Sequence, residues 1–139
     1  MTTPRDLVES FYEDVWNRRD VDAARRIIAP DFRFRGSLGP EKRGVDGFVT
    51  YLDAIHTALG GFTCIIEDLV EAPERAAARM LFKGVHQAEL FGAPATGKMI
   101  EWSGAAFFTI RQQKIAELWV LGDVDAVKRQ LGPATSLEF

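Results

Sequence analysis

The stretch Lys114-Ile-Ala-Glu-Leu-Trp-Val-Leu-Gly-Asp123 reads as an apolar strand that ends in a carboxylate. Period-two alternation puts Ile115, Trp119 and Leu121 on the same face as Asp123. An acid that follows Trp and Leu along one sheet face can look into an apolar cavity, where desolvation raises its basicity towards the range useful for moving protons. Asp123 also directly precedes Val124-Asp-Ala-Val-Lys-Arg-Gln-Leu131, a helical run, and Asp is a favoured N-cap. Pocket acid and helix cap are both open, and one residue can be both.

The other candidate proton carrier is His86, at the end of the strand Arg75 to Gln87 and in phase with Phe82 and Gly84. An unperturbed imidazole titrates near ~6.5, so it can serve as acid, base or hydrogen-bond donor. Alternatively it is a strand-end histidine bonded to backbone or water. His56 shares a helix with Tyr51 and Ile55 and reads as a surface residue. Arg35 could stabilise an enolate or hold an acidic substrate group, or it could pair with a carboxylate or snorkel at a strand end. Trp16, Trp102 and Trp119, with Tyr51 and the ten phenylalanines, can provide flat walls for a planar ligand or simply fill a core. Glu67, Asp68, Glu101 and Glu117 lie on strands and are assigned no chemistry.

Composition excludes several classes of function. The 139 residues suit one domain with a real core. Net charge is −3 with acids and bases interleaved, so there is no basic stripe to track a phosphate backbone and nucleic acid is not expected as a partner. The single cysteine, Cys64, cannot form an intramolecular disulfide and sits in an apolar run as buried filler. Two histidines and one cysteine make a zinc site improbable, and no glycine-rich phosphate loop announces a nucleotide, so no cofactor is expected. The N-terminus lacks a signal-peptide core, and no apolar run approaches the ~20 residues that span a bilayer. A cytoplasmic protein with no membrane partner is the expectation.

These residues have to be positioned by the following elements. Thr3 caps a helix from Pro4 to Asn17, on which Leu7, Val8, Phe11, Val15 and Trp16 form an apolar stripe. Asp20 opens a second helix, carrying Ala23, Ala24, Ile27 and Ile28, that stops at Ala29-Pro30. Asp31 to Arg35 is a short strand, and 36–44 is a loop. A third helix, from Val45 to Leu59, ends at Gly60-Gly61 as at a glycine cap. Four strands follow: Phe62 to Glu71, Arg75 to Gln87, Lys98 to Arg111 and Lys114 to Gly122. Helices first and antiparallel strands after indicate an α+β fold, a meander curved around the helices. Residues 1–132 form the domain, and 133–139 read as a loose tail.

Several motifs carry a resemblance: Phe11-Tyr-Glu-Asp-Val-Trp-Asn17, Ala29-Pro-Asp-Phe32, Arg35-Gly-Ser, Phe91-Gly-Ala-Pro-Ala-Thr-Gly97 and Lys114-Ile-Ala-Glu-Leu-Trp119. Over Leu7 to Leu131 the chain resembles the SnoaL-like polyketide cyclase family of the NTF2-like superfamily. The resemblance implies an NTF2-like cone, a curved, mostly antiparallel sheet wrapped around three N-terminal helices, with an apolar pocket at one end. It also implies cofactor-independent proton transfer on a hydrophobic carbonyl substrate, as in intramolecular aldol cyclisation or a related isomerisation. Asp123 matches the family's aspartate at the end of the last strand. On the preceding strand, where those cyclases carry a histidine, this chain has Phe107 and Thr109. The second polar group is then missing or comes from elsewhere, and His86 is the candidate for it. Tyr12 would aim its hydroxyl at a substrate oxygen, or it is a core tyrosine with its hydroxyl satisfied. Two other functions stay open: a non-catalytic small-molecule binder, and a homodimeric interaction module built on the open sheet face through Ala105, Phe107 and Ile110.

Overall fold

Thr3 adopts an extended conformation and closes a capping box with Asp6, so α1 (Pro4–Ser10) starts where the sequence reading puts it. The helix does not continue in the α form. It runs on without a break as a π-helical segment, Phe11–Asn17, which presents Phe11, Tyr12, Val15 and Trp16 to the interior. Asp20 caps α2 (Val21–Ile27) by accepting from the Ala23 amide. α2 ends earlier than expected because Ile28 is already extended, and β1 (Ile28–Arg35) contains Ala29 and Pro30. A short strand the sequence reading missed, β2 (Glu41–Arg43), pairs antiparallel with β1.

The computed structural model describes residues 2–39 and 41–132, so the expected 133–139 tail lies outside the described residues. α3 (Gly44–Ala58) is followed at once by β3 (Leu59–Ala72). Gly60 and Gly61 therefore do not cap the helix, as the sequence reading expected. They lie in the strand, where the register shifts between Gly60 and Thr63 and Gly61 has a φ of 63°. The glycine that looked like a helix stop is a bulge residue, because Leu59 enters the ladder before a cap can form. β4 (Arg75–His86), β5 (Met99–Arg111) and β6 (Lys114–Gly122) complete the meander, and α4 (Val124–Leu131) closes the described chain.

The sheet order is β2-β1-β6-β5-β4-β3, with β1 and β6 parallel and every other pair antiparallel. This is the expected α+β, NTF2-like arrangement of a curved, unclosed sheet against helices. Among the described residues no helix is long and apolar enough to cross a membrane.

The ladder between β5 and β6 contains the decisive irregularity. Ile110 faces Ile115 and Thr109 faces Glu117, so Ala116 is an extra residue on β6. Ile115 and Ala116 are both buried, and the alternation then restarts one residue out of phase. Leu118 and Val120 point inwards, whereas Trp119 and Leu121 are 45% and 52% exposed. The expected shared face of Ile115, Trp119 and Leu121 is broken by this bulge.

Aromatic rings fill the space between helices and sheet. Phe48 of α3 is fully buried and lies with its ring centroid 5.0 Å from Phe34, 5.3 Å from Phe11, 5.6 Å from Trp16 and 5.9 Å from Phe32. It thereby joins the first helical segment to β1. The Asn17 side chain fixes the other end, donating to the Cys64 carbonyl at 3.0 Å and accepting from its amide at 2.8 Å. Phe48→Ala should cost about 3–5 kcal/mol of folding stability, since four rings border the vacated space. Urea unfolding of the two proteins measures this, and a loss below about 1 kcal/mol would mean that the cluster repacks around the gap.

Candidate ligand-binding site

A cavity lies between the π-helical segment, α3 and the inner face of the sheet. Tyr12 and Trp16 come from the helix, Tyr51 from α3, Phe82 from β4, Trp102 from β5, and Leu118 and Val120 from β6. It is narrow, with a volume of about 20 Å³, enough for one water molecule. Among the described residues no charged side chain lines it.

The segment Gly36–Gly39 covers one side. Leu38 donates its amide to the Tyr51 hydroxyl at 3.1 Å, and Trp102 Nε1–H donates to Ser37 Oγ at 3.3 Å. Gly36 and Gly39 lie flat on the Tyr51 ring, where an added Cβ would come within 2.5 Å and 2.7 Å of ring atoms. Gly122, the last residue of β6, touches the same segment, and a Cβ there would sit 2.5 Å from the Ser37 side chain. This flap was invisible to the sequence reading, which treated 36–44 only as a loop. The glycines on either side of Ser37-Leu38 were its one local signal.

The polar atoms of the cavity are neutral. Burial pushes the Tyr12 phenol well above its ordinary value, with smaller contributions from nearby Cys64 and Tyr51. Burial likewise raises Tyr51 to about 12, against the opposing effect of the Leu38 amide and Ser37. The Cys64 thiol, also in the lining, is pushed up by burial. The Tyr12 hydroxyl is fully buried and has no hydrogen-bond partner among the described residues.

The structure brings Tyr12, Trp16, Tyr51 and Trp102 together around this cavity, and it separates the other candidates from it. Asp123 is exposed and caps α4, with its carboxylate accepting from the Ala126 amide at 3.1 Å. The bulge at Ala116 is the reason, since it gives the inward position at the end of β6 to Gly122 and leaves Asp123 outside. Trp119 is turned to the outer sheet face by the same shift, beside Phe107. Arg35 lies there too, 5.2 Å over the Trp119 ring, with Nη1 donating to the Val120 carbonyl at 2.7 Å.

His86 keeps the inward phase read from the sequence and is fully buried, but it belongs to a different corner. Its Nδ1 accepts from the Thr96 amide at 3.2 Å and lies 2.9 Å from the Thr96 hydroxyl, and it does not line the cavity. His56 is not the surface residue expected. It is buried, its ring stacks on Trp16, and its Nε2–H donates to the Trp16 carbonyl at 2.9 Å. Burial pushes its imidazole below the usual value. Among the described residues no cluster of three or more His, Cys, Asp or Glu side chains could hold a metal ion.

Comparison with known proteins adds the family. The sequence model of SnoaL-like polyketide cyclases matches residues 6–131. The chain belongs to that family. Comparison with curated proteins gives no match. Among solved structures, a SnoaL-like polyketide cyclase from Agrobacterium tumefaciens superposes with a TM-score of 0.80 at 25% identity, covering 95% of this chain and 100% of that one. TsrD from Streptomyces laurentii gives 0.81 at 25% identity over 92% and 93% of the two chains. A SnoaL-like protein from Jannaschia sp. CCS1 gives 0.83 at 16% identity over 93% and 92%, a likeness of fold alone. In this SnoaL-like chain the inward positions of β6 that border the cavity are Leu118 and Val120, and neither titrates.

The two buried phenols set an alkaline limit. A phenol whose folded-state value lies above its unfolded value of 10.0 leaves stability intact below pH 10, and stability falls as pH rises from there towards about 12. Tyr51→Phe should therefore flatten the loss of stability over that interval, although the variant starts lower for want of the Leu38 bond. Urea midpoints taken from pH 9 to 11.5 read this as a change in slope, and parallel slopes would mean that Tyr51 ionises while still folded.

Proposed function

We propose that this SnoaL-like chain binds a neutral, flat, hydrophobic small molecule in the aromatic cavity beneath Gly36–Gly39. The observation that carries the reading is the lining, in which phenyl, phenol and indole rings surround hydrogen-bonding groups and, among the described residues, no charge. Such rings recover dispersion and stacking with a planar apolar ligand, and the few polar groups orient it. A charged ligand would lose its hydration and find no counter-charge.

The geometry favours binding over proton abstraction by Asp123. That carboxylate is occupied in capping α4 on the exposed side of β6. The phenols are held protonated by burial, so they suit donating to a carbonyl and not removing a proton from carbon. Entry of a ligand larger than water requires Gly36–Gly39 to swing away from Tyr51, because the closed cavity is too small.

Titration with fluorene, followed by quenching of tryptophan fluorescence, should saturate. Val120→Phe, which fills the slot, should weaken binding by about tenfold or more, while Asp123→Asn should leave both binding and the α4 cap intact, Asn being an equally good N-cap. Unsaturable quenching, or equal binding by Val120→Phe, would reject the cavity as the site.

The open sheet face supports a second reading, of a homodimer. Phe107 and Trp119 stack across β5 and β6 with centroids 5.9 Å apart, Leu121 lies beside Ala105 in the same ladder, and all three large side chains are exposed. Ile110 takes no part, being buried on the inner face. Sedimentation at micromolar concentration should give a dimer that Trp119→Lys converts to monomer. A wild-type monomer would remove this interface.

A further inference from the structure

We propose that a groove on the outer face of the sheet binds a small planar aromatic carboxylate, held by Arg35 and Arg75 over the rings of Phe107 and Trp119. The central cavity and its flap take no part, so the inference goes beyond the function proposed above. The observation behind it is an unbalanced charge. Arg33 pairs with Glu41 at 3.4 Å and with Glu117 at 4.0 Å, and Arg111 shares Glu117 at 3.6 Å. Both acids that line the groove are thereby matched. Arg35 and Arg75 have no carboxylate partner among the described residues, in a chain whose net charge is −3.

The ladder sets these residues in two adjacent rows. Arg35, Trp119 and Phe107 are register partners across β1, β6 and β5, and Arg33, Glu117, Thr109 and Arg75 form the next row, which reaches β4. Arg35 and Arg75 therefore stand three strands apart, on opposite banks of the groove, with the two rings and Thr109 between them. Each guanidinium is fixed by a backbone carbonyl and keeps donors to spare. Arg35 Nη1 donates to Val120 at 2.7 Å, and the group lies 5.2 Å over the Trp119 ring. Arg75 donates its Nε–H to Phe108 at 3.3 Å, which leaves both Nη groups as a fork. Such a fork matches the two oxygens of a carboxylate. Phe107 and Trp119, 44% and 45% exposed, offer a flat apolar surface to the rest of the ligand. The groove has a volume of about 160 Å³, which suits one or two fused rings and is too small for a drug-sized molecule. A neutral molecule of the same shape gains nothing from the two cations, whereas in the central cavity it is the charged molecule that finds no partner.

2-Naphthoate and 2-acetylnaphthalene, alike in shape and differing in charge, test the idea by equilibrium dialysis. A second copy of the chain would compete for Phe107 and Trp119, so the titrations use Leu121→Gln, which interrupts that contact and adds no charge. In this background 2-naphthoate should bind saturably and more weakly as salt is raised. Adding Arg75→Gln or Arg35→Gln should weaken it by about tenfold or more, and Arg75→Lys, which keeps the charge and loses the fork, should fall between. Neither arginine change should alter whatever affinity 2-acetylnaphthalene has, and Val120→Phe, which fills the central cavity, should leave 2-naphthoate binding as it was. Thermal melts of each variant check that it is folded. Absence of 2-naphthoate binding, or binding indifferent to both arginine changes, would overturn the groove while leaving the central cavity untouched. Binding that Val120→Phe abolishes would also overturn it, by placing the acid in the cavity instead.

Discussion

One extra residue on the strand at the centre of the sheet decides which chemistry this molecule can present. β6 is paired on both sides, to β1 and to β5, and both ladders shift register near Ala116. A strand held on two sides cannot twist back into phase, so the bulge transmits its half-turn to every residue that follows. Leu118 and Val120 then face the helices, and Trp119, Leu121 and Asp123 face away. The cavity is apolar on that side for this reason. The outer face gains its aromatic patch for the same reason, and the two surfaces are complementary results of a single insertion.

The helix starts were legible because they are local. Thr3 and Asp20 cap where their side chains can reach an amide three residues on, and that reach depends on nothing else in the molecule. The inward run of β4 up to His86 was equally legible, since that strand keeps its period throughout. What failed were the features that depend on a neighbour. The bulge at Ala116 exists only relative to the partner strands β1 and β5, and nothing in Ile115-Ala-Glu117 announces it. Gly60 and Gly61 look alike as a helix stop and as a strand bulge until the partner β4 is in place. His56 reads as solvent-facing until Trp16, from another helix, lies over it.

The aromatic lining of the cavity was legible in Tyr12, Trp16, Tyr51 and Trp102 but not in Trp119, which the bulge turns outwards, and the places of the titratable residues were not. Tyr12, Trp16, Tyr51 and Trp102 could be nominated because large rings must be buried somewhere, and a cone with a hollow centre has few places to put them. Ser37 and Cys64 could not, since small residues carry no such obligation, and Leu38 lies in a segment read only as a loop. Asp123 had two open readings, and the structure gives it the local one, the cap on α4. Membership of the SnoaL-like family fixes the architecture for this chain and does not by itself fix its chemistry.

The glycines under the flap have a kinetic meaning. Gly36 and Gly39 let backbone lie directly on the Tyr51 ring, and the flap is then held by one bond of 3.1 Å and another of 3.3 Å. Such a closure is tight in shape and held by few bonds, and the opening that the proposed binding requires would fall among loop rearrangements, which run from microseconds to milliseconds. On the binding reading proposed above, residence time and affinity are governed by different parts of the molecule. The rings of the interior would then set how well a guest is held, and a few atoms of backbone over one phenol would set how often it can leave.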